Sequence, residues 1–170
     1  MNNILILGNS SSGKTTLAKD LSKAHDFTHL DLDSLAWEPS TPPERKPLSE
    51  SALEITKFID SNSNWIIEGC YIDLLELAAP YSNEVIFMNL SVEACISNAK
   101  SRSWEPHKYS SKEAQDANLE MLINWIIQYT ERQDTFSETT HKRFYNEYLG
   151  KKSMVTCNER NILRKIDIQD

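Results

Sequence analysis

The amino-terminal segment joins three kinds of sequence, and their succession constrains the fold more than any other feature of the chain. An apolar run at residues 4–7, ILIL, leads directly into GNSSSGKTT at residues 8–16, and LAKDL at residues 17–21 follows at once. A strand, a loop of small residues and a helix in this order are the start of a β–α–β unit. We therefore expect an α/β protein whose first strand opens onto this loop.

The loop fits the pattern G-x-x-x-x-G-K-[ST] in the context that this pattern requires, a strand before it and a helix after it. Gly8 and Gly13 permit backbone angles that a Cβ atom resists. Successive N–H groups and the positive end of the helix can then bind phosphate oxygens. Lys14 can reach the outer phosphates, and the Thr15 hydroxyl can bind Mg²⁺. The pattern predicts a site for a nucleoside triphosphate with Mg²⁺, formed by Gly8, Asn9, Ser10, Ser11, Ser12, Gly13, Lys14, Thr15 and Thr16; a serine-rich turn that caps an ordinary helix is the alternative.

Further apolar runs alternate with helix-like segments along the rest of the chain. The runs lie at residues 28–32, 65–67, 84–90 and 153–157. Apolar residues recur with helical spacing in residues 52–59, 92–99, 119–126 and 141–148, and Ser91 is a good N-cap for the second of these segments. This alternation predicts a parallel sheet with helices on both faces, and ligands bind at the carboxyl ends of the strands in such a sheet.

Acidic residues follow two of the predicted strands at that edge. Asp33 can hold Mg²⁺ through water or accept a proton from an acceptor hydroxyl, and it can equally be the N-cap of a helix that begins at Ser34. We rank Asp31 below it, because side chains alternate along a strand and Asp31 can point to the other face. Glu68 ends an apolar strand beside Gly69, a layout typical of a ligand to Mg²⁺-bound water or of a carboxylate that binds substrate.

A proline-rich stretch at residues 37–47 holds four of the six prolines and is predicted to be a loop on the same edge. Within it, Trp37 can cover a bound acceptor or pack in the core, and Arg45 can bind a phosphate or carboxylate of the acceptor. Tyr71, close behind Glu68, can line the acceptor pocket, although a tyrosine of the core is as plausible. We take Arg45, Trp37 and Tyr71 as candidate substrate-binding residues.

The charge and cysteine content limit the partners. The chain of 170 residues has 18 Lys and Arg against 25 Asp and Glu, a net charge of −7, which disfavours direct binding to nucleic acid. Cys70, Cys95 and Cys157 form no CxxC pair, so we expect reduced, mostly buried thiols in a cytoplasmic protein. We expect neither a signal peptide in MNNILIL nor a membrane span.

Three segments together resemble a known family: GNSSSGKTT, DLDSLAW at residues 31–37 and WIIEGCY at residues 65–71. They are similar to small P-loop kinases related to adenylate and shikimate kinase, and most of all to the adenylate-kinase-related ATPases labelled DNA topology modulation protein. The resemblance covers about residues 1–105 and implies a P-loop NTPase three-layer sandwich, with a five-stranded parallel sheet of order 2-3-1-4-5. Many relatives have a glycine where this chain has Ser11.

The resemblance also assigns regions within a single domain that covers residues 1–170. An acceptor-side loop lies at about 34–48 and a helical, arginine-bearing lid at about 101–135. Arg102 is the first candidate for the cation that stabilises the transferred phosphoryl group, and the alternative is a cation that interacts with the carboxyl end of its helix. Arg132 is the second candidate. The turn at residues 158–161 is expected to lie against the nucleotide base.

These observations predict a phosphotransferase that binds Mg²⁺ and ATP and moves the γ-phosphoryl group to a small-molecule or nucleotide acceptor. Lys14, Asp33 and Arg102 are the expected catalytic residues, and Thr15, Glu68 and Asp33 the expected metal-site residues. The alternative is a nucleotide-dependent ATPase or regulatory protein without a small acceptor. The predicted loop and lid favour an enzyme that closes over its substrates, because closure excludes water from the phosphoryl group.

Overall fold

A five-stranded parallel sheet forms the centre of the structure, a computed structural model that describes residues 2–158. The strands run in the order β2-β3-β1-β4-β5, as the resemblance predicts, and the α/β prediction is confirmed. In chain order they are β1 (Asn3–Gly8), β2 (Thr28–Asp31), β3 (Trp65–Gly69), β4 (Glu84–Met88) and β5 (Lys151–Val155).

Seven α-helices within the described residues connect these strands. They are α1 (Lys14–His25), α2 (Leu48–Ser61), α3 (Ile72–Ala78), α4 (Val92–Ser101), α5 (Lys112–Ala117), α6 (Leu119–Ile127) and α7 (Glu138–Glu147). Ser91 caps α4 as predicted, because its hydroxyl accepts a hydrogen bond from the Ala94 N–H at 3.1 Å.

The helices cover both faces of the sheet, which explains why β1, β3 and β4 are buried along their whole length. Leu5 and Leu7 of β1 belong to a core shared with α2, α3 and α7. Ile4 and Ile6 point the other way and belong to a core shared with α1, α4 and α6. The strict alternation of side chains along β1 therefore produces a three-layer arrangement.

All five strands differ from their predicted bounds by one or two residues at one or both ends, and β2 and β5 show why. β2 ends at Asp31, because the chain turns into a 3₁₀ helix at Leu32–Ser34. Asp31 caps this turn by accepting a hydrogen bond from the Asp33 N–H at 2.9 Å, so the alternative in which Asp33 is a helix N-cap is wrong. β5 covers residues 151–155 instead of 153–157, because Lys151 aligns with Glu84 at the start of β4.

The proline-rich stretch is a loop that folds back on itself. Trp37 and Arg45 form an isolated antiparallel bridge, and the Lys46 N–H donates a hydrogen bond to the Ala36 carbonyl at 3.0 Å. This pairing closes the loop, which follows the 3₁₀ turn at the end of β2.

Cys70 and Cys95 are buried thiols, as expected. Cys157 is exposed, since it follows the last strand. Within residues 2–158, no helix combines the length and the apolar character that crossing a bilayer requires.

Candidate active site

Two glycines give the loop after β1 its shape. Gly13 has a φ of 94° and Gly8 a φ of 151°, both in the region that favours glycine. A Cβ atom on Gly8 would lie 2.5 Å from the Met88 carbonyl oxygen, so no side chain fits between β1 and β4 at this point. The loop therefore needs glycine here for space as well as for conformation.

Ser11 also adopts a left-handed conformation, with a φ of 61°. Two residues outside the loop donate hydrogen bonds to Ser11. Asn98 Nδ2 of α4 donates to the Ser11 carbonyl at 2.9 Å, and Arg102 Nη2 donates to Ser11 Oγ at 2.7 Å. The serine hydroxyl thus links the loop to the candidate lid arginine.

Lys14 begins α1 and is buried, with its Nζ donating to the Asn9 carbonyl at 2.8 Å. This bond bends the ammonium group back over the loop, where the outer phosphates of a nucleotide would lie. Next to it, Thr15 Oγ1 donates to Glu68 Oε1 at 2.6 Å. Two of the three expected metal-site residues, Thr15 from the loop and Glu68 from β3, are therefore in direct contact.

Carboxylates of neighbouring strands meet beside this pair. Asp31 aligns with Glu68 across β2 and β3, and Asp33 follows in the next turn. Burial and the nearby charges of Glu68 and Asp33 raise the pKa of Asp31 to about 6. Burial also raises the pKa of Asp33, but the charge of Lys108, the hydrogen bond from Tyr71 and the charge of Lys14 outweigh it and lower that pKa below its usual value.

The expectation that Asp31 points away from Asp33 is wrong. Lys108 Nζ lies 3.2 Å from Asp33 Oδ2 and 3.9 Å from Asp31 Oδ2, so both carboxylates face one cation. The strand ends at Asp31, and the 3₁₀ turn that follows directs both side chains to the same side. Burial lowers the pKa of Lys108, but Asp33, Asp31 and Glu105 raise it on balance.

The donor set fits Mg²⁺ bound together with a nucleotide. The Thr15 hydroxyl and the Glu68 carboxylate offer oxygen, and Glu68 is buried. Among residues 2–158 there is no group of three or more His, Cys, Asp or Glu side chains that could hold a metal ion. Mg²⁺ uses one or two protein carboxylates together with substrate phosphates and water, so the pair of Thr15 and Glu68 suits it.

Tyr71, Trp37 and Arg45 lie behind Asp33, outside the set of residues that line the cavity. Tyr71 is 3% exposed, and its hydroxyl donates to Asp33 Oδ1 at 2.5 Å. Trp37 Nε1 donates to the Tyr71 oxygen at 2.7 Å. Arg45 pairs with Asp73 at 3.0 Å and lies over the Tyr71 ring at 5.0 Å. Burial and the negative charge of Asp33 raise the pKa of Tyr71, with Cys70 adding to the effect.

The connection between α4 and α5 approaches the loop from the other side. Arg102 pairs with Glu105 at 3.0 Å and bonds Ser11, and Lys108 reaches the two aspartates. Arg132 lies elsewhere: its guanidinium stacks on Trp125 at 3.8 Å and pairs with Asp134 at 2.7 Å, and it does not line the cavity. One face of α6, which lies within the predicted lid, packs in the core, where Ile126 is fully buried.

Sequence reasoning missed Lys108, Asn98 and Glu105. Lys108 lies in a loop without periodicity, so its position relative to Asp33 has no signal in the sequence. Asn98 lies in α4 four residues before Arg102, which directly follows that helix, and this spacing is a hint that both face the loop after β1.

One cavity of about 260 Å³ brings these groups together. It lies at the carboxyl edge of the sheet, where doubly wound folds bind ligands. Asn158 Nδ2 bonds the Ser12 carbonyl at 3.4 Å near it, and the rest of the predicted base-contacting turn, residues 159–161, lies outside the described residues. The residues that line the cavity are Ser10, Ser11, Gly13, Lys14, Thr15, Thr16, Asp33, Glu68, Gly69, Cys70, Arg102, Glu105, Lys108, Tyr109 and Leu122.

Comparison of sequences identifies one uncharacterized relative. The chain is 31% identical over 108 residues to the uncharacterized protein YqaC of Bacillus subtilis strain 168, and the match covers 61% of this chain and 57% of that protein. No protein-family model matches the chain.

Comparison of structures shows the fold. Shikimate kinase from Acinetobacter baumannii, solved with shikimate, matches with a TM-score of 0.57 at 14% identity over 97% of this chain and 90% of that one. A gluconokinase from Sinorhizobium meliloti 1021 matches with a TM-score of 0.51 at 12% identity, covering 95% and 86% of the two chains. A deoxyadenosine kinase from M. mycoides with bound dATP matches with a TM-score of 0.51 at 16% identity, covering 97% and 98%. The protein has the fold of the P-loop kinases.

Proposed function

We propose that the protein is a phosphotransferase that moves the γ-phosphoryl group of Mg²⁺·ATP to a hydroxyl group of a small-molecule or nucleotide acceptor. The observation that carries this proposal is the composition of one cavity. Its wall holds the phosphate loop with Lys14, the cations Arg102 and Lys108, and the carboxylate of Asp33. Phosphoryl transfer needs this combination of positioning and positive charge around the moving group.

The loop amides, Lys14 and Arg102 bind the triphosphate in this proposal. Lys14 is free to exchange its bond to the Asn9 carbonyl for a phosphate oxygen, and Arg102 is already bonded to the loop through Ser11. Thr15 and Glu68 would hold Mg²⁺, which supplies neutralisation of the charge on the phosphates when bound.

Asp33 acts as the general base of the transfer step. Its pKa lies below the usual value, so it is ionised near neutral pH, and its side chain is 46% exposed to the cavity. The acceptor hydroxyl loses its proton to Asp33, its oxygen bonds to the γ-phosphorus, and the bond from that phosphorus to ADP breaks. In this proposal Asp33 is the base and not a residue of the Mg²⁺ site, which Thr15 and Glu68 would form.

The structural neighbours support a small acceptor. Their names give shikimate, gluconate and deoxyadenosine kinases, which are small-molecule and nucleoside kinases. The relation to ATPases labelled DNA topology modulation protein, the division into loop and lid, and the cytoplasmic location stay predictions.

Substitution at the loop and at the base tests the function. We expect Lys14→Ala to abolish ATP turnover, with a loss of about 100-fold or more, because it removes the positive charge that interacts with the phosphates.

We expect Asp33→Asn to retain Mg²⁺·ATP binding, measured by calorimetry, and to lose phosphorylation of the acceptor. A screen of nucleosides, nucleoside monophosphates, sugars and shikimate-like acids with Mg²⁺·ATP identifies the acceptor.

Two results decide against parts of this proposal. Transfer by Asp33→Asn at the parent rate, on each acceptor that the parent uses, contradicts the role of Asp33. Stabilisation of the folded protein by Mg²⁺·ATP without transfer to any acceptor supports the regulatory ATPase instead.

A further inference from the structure

A chain of three polar groups runs from the acceptor-side loop to the cavity. Trp37 Nε1 lies 2.7 Å from the Tyr71 oxygen, and that oxygen lies 2.5 Å from Asp33 Oδ1. Trp37 is in the loop after β2 and Tyr71 directly precedes α3, so the chain connects two separate segments.

The direction of the proton in this chain follows from the chemistry of its ends. An indole N–H is a donor only, and an ionised carboxylate is an acceptor only. The Tyr71 oxygen therefore accepts from Trp37, and its single proton points at Asp33 Oδ1. A charge-assisted bond of this kind is stronger than a neutral one.

The surroundings of Tyr71 keep its ring in one place. Phe136 meets the ring edge-on with centroids 5.2 Å apart, and the Arg45 guanidinium lies over it at 5.0 Å. Arg45 is itself held by Asp73. Because Tyr71 is 3% exposed and does not line the cavity, it acts on Asp33 and not on a ligand.

We propose that Tyr71 is a positioning residue whose hydroxyl holds Oδ1 of Asp33, so that Oδ2 is the oxygen presented to the acceptor. This inference rests on the proposed function and deepens it. In the structure, Oδ2 contacts Lys108 at 3.2 Å on the cavity side, and Oδ1 is turned to Tyr71. Oδ1 thus anchors the carboxylate, and Oδ2 is the oxygen that accepts the proton of the acceptor.

A pair of matched tyrosine variants tests the inference. Tyr71→Phe keeps the ring and removes the hydroxyl, and Tyr129→Phe removes another buried hydroxyl that bonds His141 away from the cavity. Transfer from Mg²⁺·ATP is measured with the fastest acceptor of the screen, water included. We expect kcat of Tyr71→Phe to fall about tenfold or more, because a misplaced base loses its near-attack geometry. KM for ATP stays within about twofold, since the phosphate loop is untouched.

A second measurement keeps the inference testable without activity. In a double-mutant cycle, the unfolding equilibrium constants of Tyr71→Phe, Asp33→Ala and the double variant are expected to show a coupling of about tenfold, as for a hydrogen bond to a charged group. The same cycle with Tyr129→Phe is expected to show no coupling.

Trp37→Phe removes the donor to Tyr71. We expect it to lower kcat, as Tyr71→Phe does, but by a smaller factor.

The outcomes separate this inference from the proposed function. Absence of coupling between Tyr71 and Asp33, or a kcat of Tyr71→Phe equal to that of Tyr129→Phe, overturns the inference. Loss of the proposed function has a different signature: the parent protein transfers phosphate to no acceptor while the coupling in unfolding persists.

Discussion

Ser11 combines an unfavourable backbone conformation with a useful side chain. Its φ of 61° places it in the left-handed region, which strains residues that carry a Cβ atom. Its hydroxyl accepts a hydrogen bond from Arg102 at 2.7 Å. Glycine would relieve the strain but would leave Arg102 without this contact, so Ser11 costs stability and in return links the loop after β1 to Arg102.

Substitutions at Ser11 separate the two effects. Ser11→Gly and Ser11→Ala both remove the hydroxyl, but alanine keeps the strain. We expect the free energy of unfolding of Ser11→Gly to exceed that of Ser11→Ala by about 1 kcal/mol, measured by urea denaturation. Equal stability of the two variants contradicts a strained backbone at this position.

Among individual residues, the phosphate loop could be predicted because its pattern is local. Gly8 and Gly13 are required by the backbone of the loop itself. The task of Tyr71 could not be predicted, since its hydroxyl meets Asp33 across 38 positions of sequence. Sequence reasoning placed Tyr71 in the acceptor pocket or the core, and the structure places it in the core behind Asp33.

At the scale of elements, the connection between α4 and α5 is held over the cavity at both ends. Arg102 attaches it to the phosphate loop, and Lys108 attaches it to Asp33 and Asp31. Between them, the Gln115 amide donates to the Ser103 carbonyl at 3.0 Å and accepts from the Glu105 N–H at 2.8 Å. The connection is therefore ordered by contacts with other elements and with α5.

Removal of the Lys108 ammonium is expected to loosen this connection. Ion pairs of partly exposed side chains contribute about 1 kcal/mol or less to stability. In the absence of nucleotide, we therefore expect the amide hydrogen exchange rates of residues 103–111 to rise by up to about fivefold in Lys108→Ala relative to the parent. The matched control is Lys112→Ala, whose partner Asp116 lies on the same helix. Exchange rates equal to those of the control are the result that contradicts the role of Lys108.

At the scale of the whole molecule, a buried histidine connects separate segments on the side of the sheet opposite α1. His141 is fully buried, with Nε2 at 3.0 Å from the Cys70 carbonyl and Nδ1 at 3.0 Å from the Tyr129 hydroxyl. Burial lowers the pKa of His141 from 6.5 to about 4. Its neutral ring joins α7 to the segment after β3, and so connects the helical layer to the edge that carries the site.

The pH dependence of stability follows from this shift. Between pH 6.5 and about pH 4, the His141 side chain is protonated in the unfolded chain but stays neutral in the folded protein. The contribution of His141, about 3 kcal/mol, is therefore complete above the unfolded pKa and is lost as the pH falls through that window. We expect His141→Gln, which does not titrate, to flatten the dependence of unfolding free energy on pH relative to the parent.

An exposed histidine is the control for this measurement. The matched control is His107→Gln, which removes an exposed histidine from the connection between α4 and α5. Asp31 acts with the opposite sign, since its raised pKa stabilises the folded state at low pH, so the comparison is made between variant and parent at each pH. Parallel curves for His141→Gln and the parent contradict the assignment.

The sequence by itself determined the strands, most of the helices and the phosphate loop of this protein. These depend on periodicity, capping and glycine conformation, which act over a few residues, as in β1, α4 and Gly13. The tertiary structure alone decided that Lys108 faces both Asp31 and Asp33, that Arg45 lies over the Tyr71 ring, and that Arg132 stacks on Trp125 away from the cavity. Such contacts depend on the packing of distant segments and on where a strand ends, and neither leaves a local pattern in the chain.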